Sequence, residues 1–163
     1  MALPSKLQYA KSKDTKEYPL PSFFFVVSFG ESKGIENKAS FTEVSGLTTE
    51  VQTVDYRDGL DKNTVPRKIP GMMKYSNVTL KRGVFHKSDE FYKWISEKKY
   101  NSIERKALVI TLQGSDNQPL ITWSLSNAYP VKVDGPSMKS DSSEVAVETI
   151  ELVHEGITVK HEN

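Results

Sequence analysis

The sequence predicts a mainly β fold with one short helix, and three observations lead there. Short runs rich in Val, Ile, Thr, Phe and Tyr recur along the chain, several with strict alternation, and clusters of Gly, Pro, Asn and Ser separate them. Helical spacing of apolar side chains is clear at one place, Phe91, Trp94 and Ile95 at i, i+3 and i+4. With 163 residues, 37% hydrophobic and 26% charged, the chain is large enough for one core and ordinary in composition, which excludes a fibrous or wholly disordered class.

Residues 1–21 are polar, punctuated by Pro4, Pro19 and Pro21, and read as an extended arm preceding a single domain that fills the rest of residues 1–163. Phe23 to Phe29 reads as a strand apolar on both faces, more than one small core can cover, so one face is expected to meet another subunit. A turn follows at Glu31 to Asn37, then a strand from Ala39 to Val44 ended by Gly46. Thr48 to Tyr56 is a strand of another kind, polar on both faces. The apolar phase shift between Val51 and Val54 predicts a bulge, and such a strand is an edge or lines water.

From Asp58 to Met73 the sequence predicts a long exposed loop, broken by Pro66 and Pro70. It carries Val65, Ile69, Met72 and Met73, which a plain linker would not, so it is expected to find a partner surface. Tyr75 to Arg82 is the next strand, closed by Gly83. Ser88 is the expected N-cap of the helix, with Asp89 and Glu90 in its first turn and Lys98 and Lys99 in its last. Leu108, Ile110 and Leu112 and then Ile121, Trp123 and Leu125, separated by Gly114 to Gln118, give the clearest hairpin. Tyr129 to Val133 continues it. After a Gly/Pro/Ser loop at Asp134 to Ser143, a strand from Glu144 to Val153 sets Val145, Val147, Ile150 and Leu152 against Glu144, Glu148 and Glu151. Ile157 to Val159 is a last short strand.

Chemistry is scarce. There is no cysteine, which rules out disulfides, thiolate nucleophiles and Cys-based zinc sites. His86, His154 and His161 have no spacing that would assemble a metal site, and each reads as solvated surface. No nucleophile elbow, Walker loop, zinc-protease helix or dinucleotide fingerprint occurs, so neither catalysis nor a cofactor is expected. No signal-type or membrane-spanning apolar run is present, which points to synthesis in a reducing cytoplasm without a signal peptide or membrane anchor.

Charge is unevenly laid out. Lys and Arg outnumber Asp and Glu 13 to 6 over residues 57–106, whereas the count over residues 107–163 is 3 to 8. The basic block Arg67, Lys68, Lys74, Lys81 and Arg82 has three readings: a solvated face, a nucleic-acid footprint, or complementary contact between copies. Near-neutrality overall and the lack of regularly interleaved aromatics favour the last.

The ordered series Tyr56-Arg57-Asp58-Gly59, Arg67-Lys68, Pro70-Gly71, Lys74 and Thr79-Leu80-Lys81-Arg82-Gly83, followed by Phe91 and Trp94, resembles the inner tube proteins of contractile phage tails and of phage-tail-like extracellular contractile injection systems. The resemblance runs from about Pro19 to the C-terminus. It implies a small β-barrel or sandwich of tail-tube type with a single helix and no enzymatic activity. It further implies a homo-hexameric ring stacked into a hollow tube driven by a contractile sheath, with baseplate, spike and capping proteins as partners and protein cargo in the lumen. By the same resemblance Tyr56, Arg57, Asp58, Gly59, Arg67, Lys68, Pro70, Gly71, Lys74, Lys81, Arg82 and Gly83 would lie where subunits and rings meet, and the polar Thr48, Glu50 and Gln52 would line the lumen. Family members that start the tube at the baseplate, or that conduct DNA through a phage tail, share much of this pattern. A monomeric ligand-binding β-barrel is the remoter alternative.

Overall fold

The alternating runs fold into antiparallel strands in the computed structural model, which describes residues 20–30, 38–62, 64–86, 89–97, 102–141 and 143–162. In chain order the elements are β1 (Phe25–Phe29), β2 (Lys38–Ala39), β3 (Glu43–Ser45), β4 (Thr49–Tyr56), β5 (Arg67–Tyr75), β6 (Val78–Gly83), α1 (Glu90–Ser96), β7 (Lys106–Gln113), β8 (Pro119–Asp134), β9 (Val147–Val153) and β10 (Gly156–His161). The helix and a mainly β architecture are as the sequence predicts. The arm expected over residues 1–21 lies, up to residue 19, outside the described residues, as do the turn at 31–37, the expected cap Ser88, and Lys98 and Lys99.

Eight strands form one continuous antiparallel sheet folded in two about β8. The first half of β8 pairs with β7 and β10, and its second half pairs with β9. The bend falls at Asn127, whose φ of 53° is left-handed, a conformation Asn tolerates better than most residues. Beyond it Ala128, with no exposed surface, sits where the two leaves meet. One leaf is thus β2-β1-β7-β8-β10 and the other β8-β9-β6-β3; among the described strands the sheet stays open rather than closing into a barrel.

Val27, Leu108, Ile110 and Leu125 from one leaf and Val78, Leu80, Ile150 and Leu152 from the other share one buried cluster. The helix closes it. Phe91 stacks on Phe41 with ring centroids 5.9 Å apart, Trp94 meets Phe29 edge-on at 5.8 Å, and the Trp94 indole N–H donates to the Glu104 carbonyl at 2.9 Å. A helix of seven residues is too short to stand alone, and this aromatic packing holds it to the sheet. Asp89 stands at its N-cap without a capping side-chain bond; it pairs instead with Lys93, whose hydrogen bond holds the Asp89 carboxyl below its ordinary value.

Three expectations here need correction, and one on the first strand is narrowed to a single face. Ala39 to Val44 is not one strand: β2 pairs with β1, whereas β3 pairs with β6 in the other leaf. The first strand's odd face is covered at home, since Val27 is buried and Phe25 and Phe29 pack on the core; its even face, with Phe24 exposed and Val26 half-buried outside the core cluster, is the one left for another subunit to meet. In β9 the inward phase is Glu148, Ile150 and Leu152, so Val147 points outward and Glu148 inward. His154 is buried rather than solvated.

Candidate assembly site

Residues 49–75 form neither a strand-and-loop nor part of the body; they form a two-stranded ribbon. Thr, Val and Tyr favour the extended β4, and β5 answers it in register, Thr49 opposite Tyr75 and Tyr56 opposite Arg67. The long loop expected from Asp58 to Met73 is therefore shorter, spanning residues 57–66, because Arg67 to Met73 pair with β4. Pro and Gly read as loop punctuation, but Pro70 lies on a strand that has a neighbour on one side only, where a missing N–H is tolerated. A bulge does interrupt this pairing, but its extra residue lies on β5 and not on β4, where the sequence predicts it: Gly71 and Met72 together face Gln52. Gly71 suits it, since a Cβ there would come to 3.0 Å from the Gln52 carbonyl oxygen.

Among the described residues the ribbon pairs with no other strand, and every residue of β4 and β5 is exposed except the half-buried Tyr75. By strand alternation Glu50 and Gln52, the expected lumen residues, share a face with Val54, Tyr56, Ile69 and Met72, while Val51 and Met73 lie on the other. Neither face is purely polar, contrary to the expectation for Thr48 to Tyr56. Thr48, exposed, stands just before β4.

Its root is fixed with care. Both strands leave the body at the Val78 end of β6, where Ser45 pairs with Thr79. Gly46, at φ 89°, is required there: a Cβ would lie 2.0 Å from the Asn77 carbonyl oxygen. Ser76 donates its N–H to the Thr48 carbonyl at 3.2 Å, and the Ser76 carbonyl lies 3.1 Å from Nε2 of the buried His154, whose ring is 5.5 Å from that of Tyr75. At the tip the Asp58 carboxylate accepts the Leu60 N–H at 3.0 Å, and Gly59 and Leu60 form the turn.

Nine of the expected interface residues thus gather on one element: Tyr56, Arg57, Asp58, Gly59, Arg67, Lys68, Pro70, Gly71 and Lys74. Lys81, Arg82 and Gly83 do not join them; they belong to β6. Arg82 is a correction. Its guanidinium is buried, bonded to Glu148 Oε1 at 2.5 Å and stacked 3.8 Å from the centre of the Phe91 ring, which leaves it no surface for a neighbour. The signal was in the phase: Arg82 stands two residues from Leu80 and four from Val78, on the inward face, as Glu148 does with Ile150 and Leu152.

The basic block is largely answered inside the chain. Lys68 pairs with Asp55 at 2.8 Å, Lys81 with Glu43 at 2.9 Å and Arg67 with Asp61 at 3.5 Å, and Lys74 stands opposite Glu50 in the ribbon register. Arg105 also bonds Glu155, so part of the basic middle meets the acidic end within one subunit. A phosphate-binding face needs uncommitted cations; this arrangement does not offer a row of them. Among the described residues no group of His, Asp and Glu is placed to hold a metal, and no helix is long and apolar enough to cross a membrane.

Comparison with known proteins agrees with this geometry. The family model described as T4-like virus tail tube protein gp19 matches residues 21–158. A chain of the PVC sheath–tube complex of an extracellular contractile injection system, in its extended state, is 34% identical with a TM-score of 0.80, over 90% of this chain and 94% of that one. A chain of the sheath/tube terminator of the same system is 34% identical with a TM-score of 0.79, over 88% and 98%. A chain of the tube-terminating cap of the anti-feeding prophage is 30% identical with a TM-score of 0.82, over 96% and 100%. No protein with a curated description matches.

Proposed function

Because the chain belongs to the T4-like virus tail tube protein family, we propose that it is the inner tube subunit of an extracellular contractile injection particle, closing as a homo-hexamer and stacking into a hollow tube. Its role is structural, as in its family, and not catalytic. The observation that carries the assembly is the ribbon. Two isolated strands are at best marginally stable in water, and their outer edges present rows of unpaired N–H and C=O groups. Ribbons of neighbouring copies set edge to edge would satisfy both, and six of them would line the bore. Tyr56, Arg67, Lys68, Pro70, Gly71 and Lys74 then lie along the lateral contact, with Glu50 and Gln52 towards the lumen. Arg57, Asp58 and Gly59 sit at the turn that reaches the next ring. The sheath–tube, terminator and cap relatives support sheath and capping proteins as partners, and a baseplate from which the tube starts belongs to the same reading. Protein cargo in the lumen follows from the same reading.

Size exclusion and negative-stain microscopy of the purified protein test this. Six-fold rings, or tubes, are expected. A monodisperse monomer at every concentration, without rings under the microscope, would overturn the reading. Resemblance to terminator and cap structures is close to that of the sheath–tube complex, so tube length separates the roles. A main subunit grows long tubes alone, whereas a terminal paralogue stops at one or two rings.

A further inference from the structure

The ribbon leaves the body at one end of β6, and at the other end, about 17 Å along a strand rising roughly 3.3 Å per residue, lies a second uncovered apolar surface. Gly83, the last residue of β6, pairs with Val147, the Val84 N–H bonds the Ala146 carbonyl at 2.9 Å, and Val145 flanks Gly83. Val84, Phe85, Val145 and Val147 are all exposed there. Met138, 86% exposed, rides on the loop of residues 135–146 that joins β8 to β9 at the same end. Nothing in the core calls for apolar residues at these positions. A contiguous exposed apolar patch rimmed by charge marks an interaction surface.

We propose that this end is the receiving surface for the ribbon tip of a second copy in the adjoining ring, with Leu60 and Val65 of one subunit seated against Phe85, Met138 and Val145 of the next. The proposal rests on the tube reading and names the axial contact within it. Two features of the chain select this occupant. The tip exposes its own apolar pair, Leu60 at 90% and Val65 at 73%, beyond the last paired residues of the ribbon, so it too lacks cover within the subunit. The charges also match in sign: residues 57–68 carry four cations and two carboxylates, whereas residues 84–90 with 134–147 carry two cations and five carboxylates. The two surfaces differ, one at the tip of a ribbon rooted at the Val78 end of β6 and the other at the Gly83 end. Their contact is therefore head-to-tail, which adds copies without limit instead of closing on a dimer.

The absence of native cysteine makes the test clean. In Leu60→Cys/Phe85→Cys protein, assembled and treated with a short bis-maleimide, a ladder of covalent multimers is expected on denaturing gels. Each single-cysteine variant alone should give none. Phe85→Ser/Met138→Ser protein is expected to form six-fold rings that no longer stack. Tubes of normal length from the serine variant, or normal tubes of the cysteine pair that yield no cross-links or only dimers, would overturn the proposal while leaving the tube reading standing. Failure of the unmodified protein to form rings would instead overturn the tube reading. The cross-linking result decides even where the serine variant folds poorly.

Discussion

Arg82 shows how a charge can be structural. Arg82 and Glu148 face each other across the β6–β9 pair, both are nearly inaccessible, and Phe91 of α1 lies under the guanidinium, so this one pair joins two strands and the helix. Removing one partner leaves the other charge buried without the group it faces, which costs about 3 to 5 kcal/mol. Glu148→Gln and Arg82→Met are each expected to lower the unfolding free energy obtained from urea titration by that amount, and the double variant Arg82→Met/Glu148→Leu by clearly less than their sum. Additive losses would mean that the two groups do not depend on each other. His154 poses a different question at the ribbon root. His154→Leu removes the side chain that meets the Ser76 carbonyl and is expected to impair ring formation more than subunit folding, checked by comparing hexamer yield with circular dichroism.

Among the elements, the ribbon is the longest that contributes nothing to the core cluster. None of the residues in the core cluster, or packed against it, lies between Thr48 and Asn77. Replacing residues 50–74 by a short Gly/Ser turn is therefore expected to shift the melting temperature of the monomer by less than about 4 °C, the effect of roughly 1 kcal/mol, while abolishing rings. Loss of the cooperative transition would place the ribbon in the folding unit after all. This element also shows what was legible beforehand. The hairpin of β7 and β8 and the Phe91 and Trp94 stripe could be read because side-chain period reports directly on which face is covered. The partner strand β5 could not, because Pro70 and Gly71 end strands in a sheet interior yet are harmless on a ribbon with free edges. The short β2 and β3 fused in the sequence because Lys38 to Ser45 holds no residue that must break a strand. Glu148 and Arg82 were misplaced because residue type was allowed to outweigh phase.

Across the whole molecule, local pairing of charges changes what should set assembly. With Asp55–Lys68 and Asp61–Arg67 satisfied within the ribbon, lateral closure is left to backbone hydrogen bonds and apolar contact, neither of which ions screen. Ring stacking differs, since a tip with a net excess of cations must find an end with an excess of carboxylates, and such steering acts on the rate of encounter. Raising the salt from about 0.05 to 0.5 M shortens the Debye length from roughly 14 to 4 Å. The hexamer fraction on a sizing column is expected to stay constant across that range, while tube growth followed by light scattering slows several-fold. Rings that fall apart into monomers at high salt would show that the ribbon edges are held by ion pairs between copies. Growth that is indifferent to salt would show that the opposite charges of the two ends play no part in bringing rings together.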